Sequence, residues 1–159
     1  MLSVKIITVG TLKESYLRDA VAEYSKRLSA YCKLSVVQLK EAKLSDNPSE
    51  KEIASALDAE SKAILAEISP RSYKIAMCVE GKQMPSEKLA ETLERISSEA
   101  SEVCFIVGSS FGLSDKVKSI SDMRLSVSML TFPHQLLRVM LLESIYRAFT
   151  INAGTKYHK

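Results

Sequence analysis

Residues able to do chemistry gather near the end of the chain. In Leu130-Thr131-Phe132-Pro133-His134-Gln135-Leu136-Leu137-Arg138, a histidine and an arginine stand one helical turn apart, and Pro133 can sit in the first turn behind an N-cap at Thr131 or Phe132. The N-terminus of a helix presents free N–H groups and the positive end of a dipole. A cation is disfavoured there, so His134 is expected to be neutral and Arg138 to serve a ligand or a partner. Taken alone, His134 could as well cap or pack, and Arg138 could be a surface charge. The closing Tyr157-His158-Lys159 adds an aromatic able to stack on a base and, with Lys156, charges able to neutralise phosphate. Tails of this kind usually fray, and a basic solubilising end is their commonest use.

A second group is Gly108-Ser109-Ser110-Phe111-Gly112, directly after an apolar run. It has the form G-x-S-x-G, so Ser110 could be a hydrolase nucleophile with Asp115, Asp122, His134 or His158 as partners. That elbow needs a helix starting straight after the serine, and Gly112, Leu113 and a cap-like Ser114 delay it. The same glycines let backbone approach a flat or charged ligand. No GKS/T and no GxGxxG occurs, so neither a P-loop nor the usual dinucleotide fingerprint is present. Cys32, Cys78 and Cys104 are odd in number and form no CxxC pair. Free thiols are expected, with Cys78 and Cys104 buried, and no disulfide framework or metal site.

The elements that carry these residues follow from periodicity. Ser3–Val9, Lys33–Leu39, Tyr73–Glu80, Val103–Val107 and Arg124–Ser128 read as strands. Lys13–Tyr31, Ser49–Ile68, a segment capped by Ser86, a short one capped by Ser114, and Pro133 to about Ile151 read as helices. Pro48 suits the first turn of the second helix and Gly81 a turn. Ile53, Leu57, Ile64, Leu65 and Ile68 share a face of that helix. Strands alternating with helices predict an α/β fold, a mainly parallel sheet with helices on both faces, in one domain spanning 1–159. Ligands of such sheets bind outside the carboxyl ends of the strands. Glu80–Met84, Gly108–Leu113 and Ser128–His134 should therefore share one crevice.

The last helix is apolar nearly all round, from Leu136 to Phe149, which predicts burial against the sheet and against another subunit. Glu143 and Arg147 form an i,i+4 pair on it. The composition, 46% hydrophobic and 26% charged, suits a globular chain. A net charge of +3 is too small to grip long RNA alone, and suits a large structured partner recognised by shape. No apolar run nears the roughly 20 residues of a membrane span, and Val4–Val9 with Lys5 inside it is no signal peptide, so a cytoplasmic protein is expected.

VGSSFGLSDKV, LTFPHQLLRVMLLESIYRAF and the terminal YHK, with SVKIITVGTLKESY and AVAEYSKRL near the start, together resemble the ribosomal large-subunit pseudouridine N3-methyltransferases of the SPOUT class. The likeness runs over essentially the whole chain. It implies a C-terminal trefoil knot, a homodimer, and methyl transfer from S-adenosyl-L-methionine to N3 of a pseudouridine of 23S rRNA on the assembled ribosome. It implies cofactor contacts at Met77, at Gly108, and at Val127, Ser128, Met129, Leu130, Thr131 and Phe132. It also gathers His134, Arg138, Tyr157 and His158 near the target base: a histidine to take the imide proton, Arg138 to stabilise the anion, Tyr157 to orient the base. The family usually has two glycines where this chain has Gly108-Ser109, and leucine at Met77. A related enzyme acting on another rRNA or a tRNA, the Ser110 hydrolase, and a non-catalytic RNA-binding module are the alternatives.

Overall fold

β1 (Ser3–Val9), β2 (Lys33–Leu39), β3 (Tyr73–Lys82), β4 (Glu102–Val107) and β5 (Met123–Leu125) form one parallel sheet in the computed structural model, which describes every residue from Met1 to Lys159. The strand order is β2-β1-β4-β3-β5. Between them run α1 (Ser15–Leu28), α2 (Glu50–Glu67), α3 (Ser86–Glu99) and α4 (Asp115–Ile120), and α5 (His134–Asn152) follows β5. The steps from β1 to β2 and from β3 to β4 cross the sheet in one direction, and those from β2 to β3 and from β4 to β5 in the other. Right-handed crossovers then put α1 and α3 on one face and α2 and α4 on the opposite face. α5 packs against α1 and α3. The α/β fold with helices on both faces is thus as expected.

Alternation along each strand feeds two cores. Val4, Ile6, Ile75, Met77, Val103, Phe105 and Val107 meet Leu93 and Ile96 of α3 and Leu141, Leu142 and Ile145 of α5. Ile7, Val9, Ala76, Cys104 and Ile106 meet Ile64 of α2, Leu113 just before α4 and Val117 of α4. β4 lies between β1 and β3 and is buried throughout Val103–Val107, which explains its unbroken apolar run. No helix is long and apolar enough to cross a membrane.

The boundaries differ from the sequence reading in instructive places. α1 is shorter than Lys13–Tyr31, because the amides of Tyr31 and Cys32 both fold back on the Leu28 carbonyl. Ser49 caps α2 in a reciprocal capping box with Glu52, so Pro48 lies before the helix. The buried face of α2 is Ala56, Glu60 and Ile64, shifted from the expected apolar face. Gly81 is inside β3 and not in a turn. A Cβ there would meet the Arg124 and Leu125 backbone at 2.7–2.8 Å. β5 is shorter than Arg124–Ser128: the Ser126 amide still donates to the Lys82 carbonyl, but the Ser126 hydroxyl donates to the Ser128 carbonyl and the Ser128 hydroxyl accepts from the Leu130 amide, so local bonds take over beyond Ser126. Pro133 caps α5 from outside it. Cys78 is half-buried, since its side of β3 faces an opening.

Candidate active site

That opening is made by a departure from the ladder. Met77 pairs with Leu125, and so does Lys82 five residues later. Cys78 to Gly81 therefore bulge away from β5. The bulge, the Gly108–Leu113 loop and the 125–134 segment wall a cleft of about 720 Å³ outside the carboxyl ends of β3, β4 and β5. Gly108–Leu113 and most of Ser128–His134 meet here as the strand pattern anticipated, but of Glu80–Met84 only Glu80 lines the cleft, because β3 continues through Lys82 and re-pairs with Leu125.

The chain closes the floor of the cleft with backbone. The Gly112 amide donates to the Ser109 carbonyl at 2.8 Å, folding the loop tightly. A Cβ on Gly108 would be driven into the Gly112 carbonyl, so only glycine lets the loop close in this way. Ser109 is buried and its hydroxyl donates to Glu60 Oε1 at 2.9 Å. Of the expected cofactor contacts, Met77, Gly108, Val127, Ser128, Leu130, Thr131 and Phe132 line the cleft. Met129 does not, and it is 81% exposed. Lys118 and Glu80 also line it and form an ion pair at 2.5 Å, which holds the Glu80 carboxyl below its usual range. The sequence reading missed this pair, whose partners are far apart in the chain.

His134 opens α5 and lines the cleft. Burial, then the Arg138 charge beside it, pushes its imidazole below the ordinary histidine value. It is therefore neutral at neutral pH, as expected. Arg138 is buried and stands behind the cleft. Its Nη2 donates to the Val9 and Gly10 carbonyls at 2.8 and 2.9 Å, tying α5 to the end of β1. Its Nε and Nη1 have no partner in the chain. The Gln135 side chain accepts from the Lys13 amide at 3.2 Å, which brings the β1–α1 loop to the same helix end.

Tyr157 and His158 do not line their own chain's cleft. They are also not frayed. The Thr155 amide donates to the Thr150 carbonyl and the Gly154 amide to that of Ile151, a Schellman turn that reverses the tail onto α5. The Tyr157 hydroxyl then donates to Glu143 Oε2 at 2.8 Å. Arg147 grips Glu143 Oε1 through Nε and Nη2 and lies 4.7 Å from the Tyr157 ring centre. Tyr146 meets that ring edge-on at 4.8 Å. Arg147 Nη1 contacts His158 Nδ1 at 3.3 Å, and His158 Nε2 contacts Glu87 Oε1 at 2.8 Å. Arginine only donates, so Nδ1 accepts and Nε2 carries the proton. Ser110 is exposed and α4 begins only at Asp115; His134 shares the cleft with Ser110 but hydrogen-bonds neither it nor an aspartate, and His158 is committed to Arg147 and Glu87, so no nucleophile elbow or triad is assembled around Ser110.

The unpartnered surface collects around the N-terminal half of α5. Leu136 is exposed, Val139 and Met140 are half-buried outside both cores, and Met129 and Leu130 are exposed just ahead of the helix. The helix is thus not enclosed by its own chain.

Comparison with known proteins agrees with this geometry. Residues 2–158 match the family described as "Predicted SPOUT methyltransferase". The chain is 49% identical to "Ribosomal RNA large subunit methyltransferase H" of Streptococcus thermophilus, over 99% of this chain and 100% of that one. Proteins of the same name from Clostridioides difficile and Bacillus pumilus are 46% and 45% identical, with the same coverage. Among solved structures, a probable methylase family protein from Haemophilus influenzae Rd KW20 superposes with a TM-score of 0.56 at 15% identity, covering 100% of this chain and 72% of that one. A probable methyltransferase from Bordetella pertussis Tohama I does so with a TM-score of 0.55 at 14% identity, covering 93% and 96%. The parallel sheet, the cleft at its carboxyl edge and the family match over nearly every residue lead to one assignment: the chain belongs to the SPOUT methyltransferase family.

Proposed function

We propose that residues 1–159 act as a single methyltransferase domain that transfers a methyl group from S-adenosyl-L-methionine to N3 of a pseudouridine in 23S rRNA, on the assembled ribosome, as a cytoplasmic homodimer. The observation that carries the reading is the cleft at the β3, β4 and β5 ends, with the closely folded Gly108 loop as its floor. Its lining fits the cofactor. Met77, Leu125, Val127 and Leu137 give apolar walls for a flat base, and the Gly108 and 127–132 backbone gives donors and acceptors for polar edges. Met77, Gly108, Val127, Ser128, Leu130, Thr131 and Phe132 would hold it, with the chain threaded there as the trefoil knot of the family. When bound, the cofactor supplies an activated methyl on a sulfonium and leaves as a neutral thioether.

The protein's own task is to position the base and accept its imide proton. His134 suits the acceptor: it faces the cleft and burial keeps it neutral. Arg138 supports it from behind, and its two unpartnered nitrogens are free for the developing anion or for a partner. Tyr157 and His158, held together on α5 away from their own cleft, would serve the cleft of the other subunit, Tyr157 orienting the base. The open face through Leu136, Val139 and Met140 supports the second copy. The deciding experiment is incubation of the protein and labelled S-adenosylmethionine with ribosomes lacking the modification, then mass mapping of the label. Label on one 23S pseudouridine is expected. Label on a tRNA or another rRNA position would move the substrate, and no label with intact binding to ribosomes would leave an RNA-binding module.

A further inference from the structure

Behind the floor of the cleft, two adjacent residues of α2 hold both ends of the Gly108–Ser114 loop. Glu60 Oε1 accepts from the Ser109 hydroxyl at 2.9 Å, and Glu60 Oε2 accepts from the Ala42 amide at 3.1 Å. Ser61 Oγ bonds Ser114 Oγ, which in turn accepts from the Val117 amide at 3.3 Å as the cap of α4. Glu60 and Ser109 are each only 6% exposed. A carboxylate is an expensive group to bury, and this one stands where the face of α2 otherwise has Ala56 and Ile64. Packing alone would favour an apolar residue there. Glu60 does what an apolar side chain cannot: it fixes Ser109, the residue whose carbonyl holds the Gly112 amide and whose neighbour, Gly108, forms the cleft floor.

We infer that Glu60 and Ser109 are positioning residues for the methyl donor, clamping the 108–114 loop from behind so that it is in its receiving shape before the donor arrives. Neither Glu60 nor Ser61 lines the cleft, and the effect is transmitted through loop shape. The inference rests on the cofactor reading above. Loss of the bond lets the loop sample other conformations, and the donor then has to order it on binding, which weakens affinity.

The test uses the full-length protein and equilibrium binding of S-adenosylmethionine and S-adenosylhomocysteine by calorimetry, with hydrogen exchange of the ligand-free protein alongside. Ser109→Ala removes one oxygen and Glu60→Ala removes both acceptors. Each should raise Kd roughly tenfold, the order expected for one buried hydrogen bond, and should speed exchange of the Gly112 amide. The double variant should be no weaker than Glu60→Ala, because the two act through one bond. Glu60→Gln keeps a partner for both Ser109 and Ala42 and should bind within about twofold of the parent, a rescue by the bond and not the charge. In turnover, KM for the donor should rise in Ser109→Ala while kcat at saturation holds. Parental Kd and Gly112 exchange in Ser109→Ala would overturn the clamp, as would a Glu60→Gln defect equal to that of Glu60→Ala. Should Glu60→Ala fail to fold, Ser109→Ala and Glu60→Gln still decide it. Absence of binding by the parent protein would instead overturn the cofactor reading, with the exchange comparison still deciding the clamp.

Discussion

At the C-terminal end of α5, Glu143, Arg147, Tyr157 and His158 all find partners within the chain. At its N-terminal end, Arg138 leaves two buried nitrogens without partners, and Leu136 and Met129 face outward. The contrast separates what the chain completes alone from what it leaves for others. A satisfied network holds a shape, and buried donors without acceptors mark a place that something else must fill. One helix therefore carries a finished platform and an unfinished site, and substitutions along it should fall into two kinds.

The unfinished end should respond most in activity. His134→Ala is expected to lower methylation of ribosomes on the order of 100-fold or more, the usual contribution of a positioned base. The parent rate should rise with pH and level off below the ordinary histidine value near 6.5, because burial and Arg138 depress the folded pKa. The sign for stability follows. The folded state holds its proton less tightly than the unfolded chain, so the contribution is present above the unfolded pKa and fades as pH falls through the folded one. A pH–rate profile in which His134→Ala retains the same rising limb would assign the titration to another group.

Arg138 tests whether that end is also structural. Arg138→Met removes two charge-assisted bonds to Val9 and Gly10 and should cost about 2–3 kcal/mol. For a chain of this size that is roughly a 4–12 °C fall in Tm. Lysine can reach one carbonyl but cannot supply the spare fork. If Arg138→Lys recovers most of the Tm and little of the methylation, the unpartnered nitrogens serve the ligand or the partner. Recovery of both would confine Arg138 to tying α5 to β1. The finished end should give a smaller effect: His158→Ala is expected to reduce methylation about tenfold, the share of one orienting hydrogen bond, with donor affinity unchanged. Activity restored by mixing it with a His134→Ala protein would show that tail and cleft come from different subunits.

Much of this was legible beforehand, and for physical reasons. Strand runs, caps and the apolar β4 are local or periodic, so the sheet and the shared crevice could be read from spacing. Of the eight residues that the resemblance names for the cofactor, seven lie on the cleft lining. What could not be read depends on distant pairing. Nothing local sets Glu60 apart from the other acids of α2, because its partners Ser109 and Ala42 lie far off in sequence. The bulge at Cys78 to Gly81 follows from Leu125 pairing twice, which no local pattern encodes. The tail read as frayed because tails usually are. The Gly154 signal for a Schellman turn was present, and its target on α5 was visible only once the helix end was fixed.

The tail also shows which of its bonds matter. Tyr157→Phe deletes one hydroxyl and leaves the ring against Tyr146 and Arg147. It should cost about 1 kcal/mol, or a Tm fall of some 2–4 °C, because Glu143 loses one of its donors in a half-buried setting. The Tyr157 hydroxyl pKa is raised, by burial first and then by Glu143, so it remains a donor throughout the neutral range. Glu87→Gln is the matched control. It alters the outermost bond of the same network at an exposed side chain, where solvent and salt screen the pair, so no measurable Tm change is expected. Thermal melts of the two variants side by side settle the order. A larger loss from Glu87→Gln would mean that the tail is pinned through His158 to α3, and that Glu143 and Arg147 form an ordinary helix pair beside it.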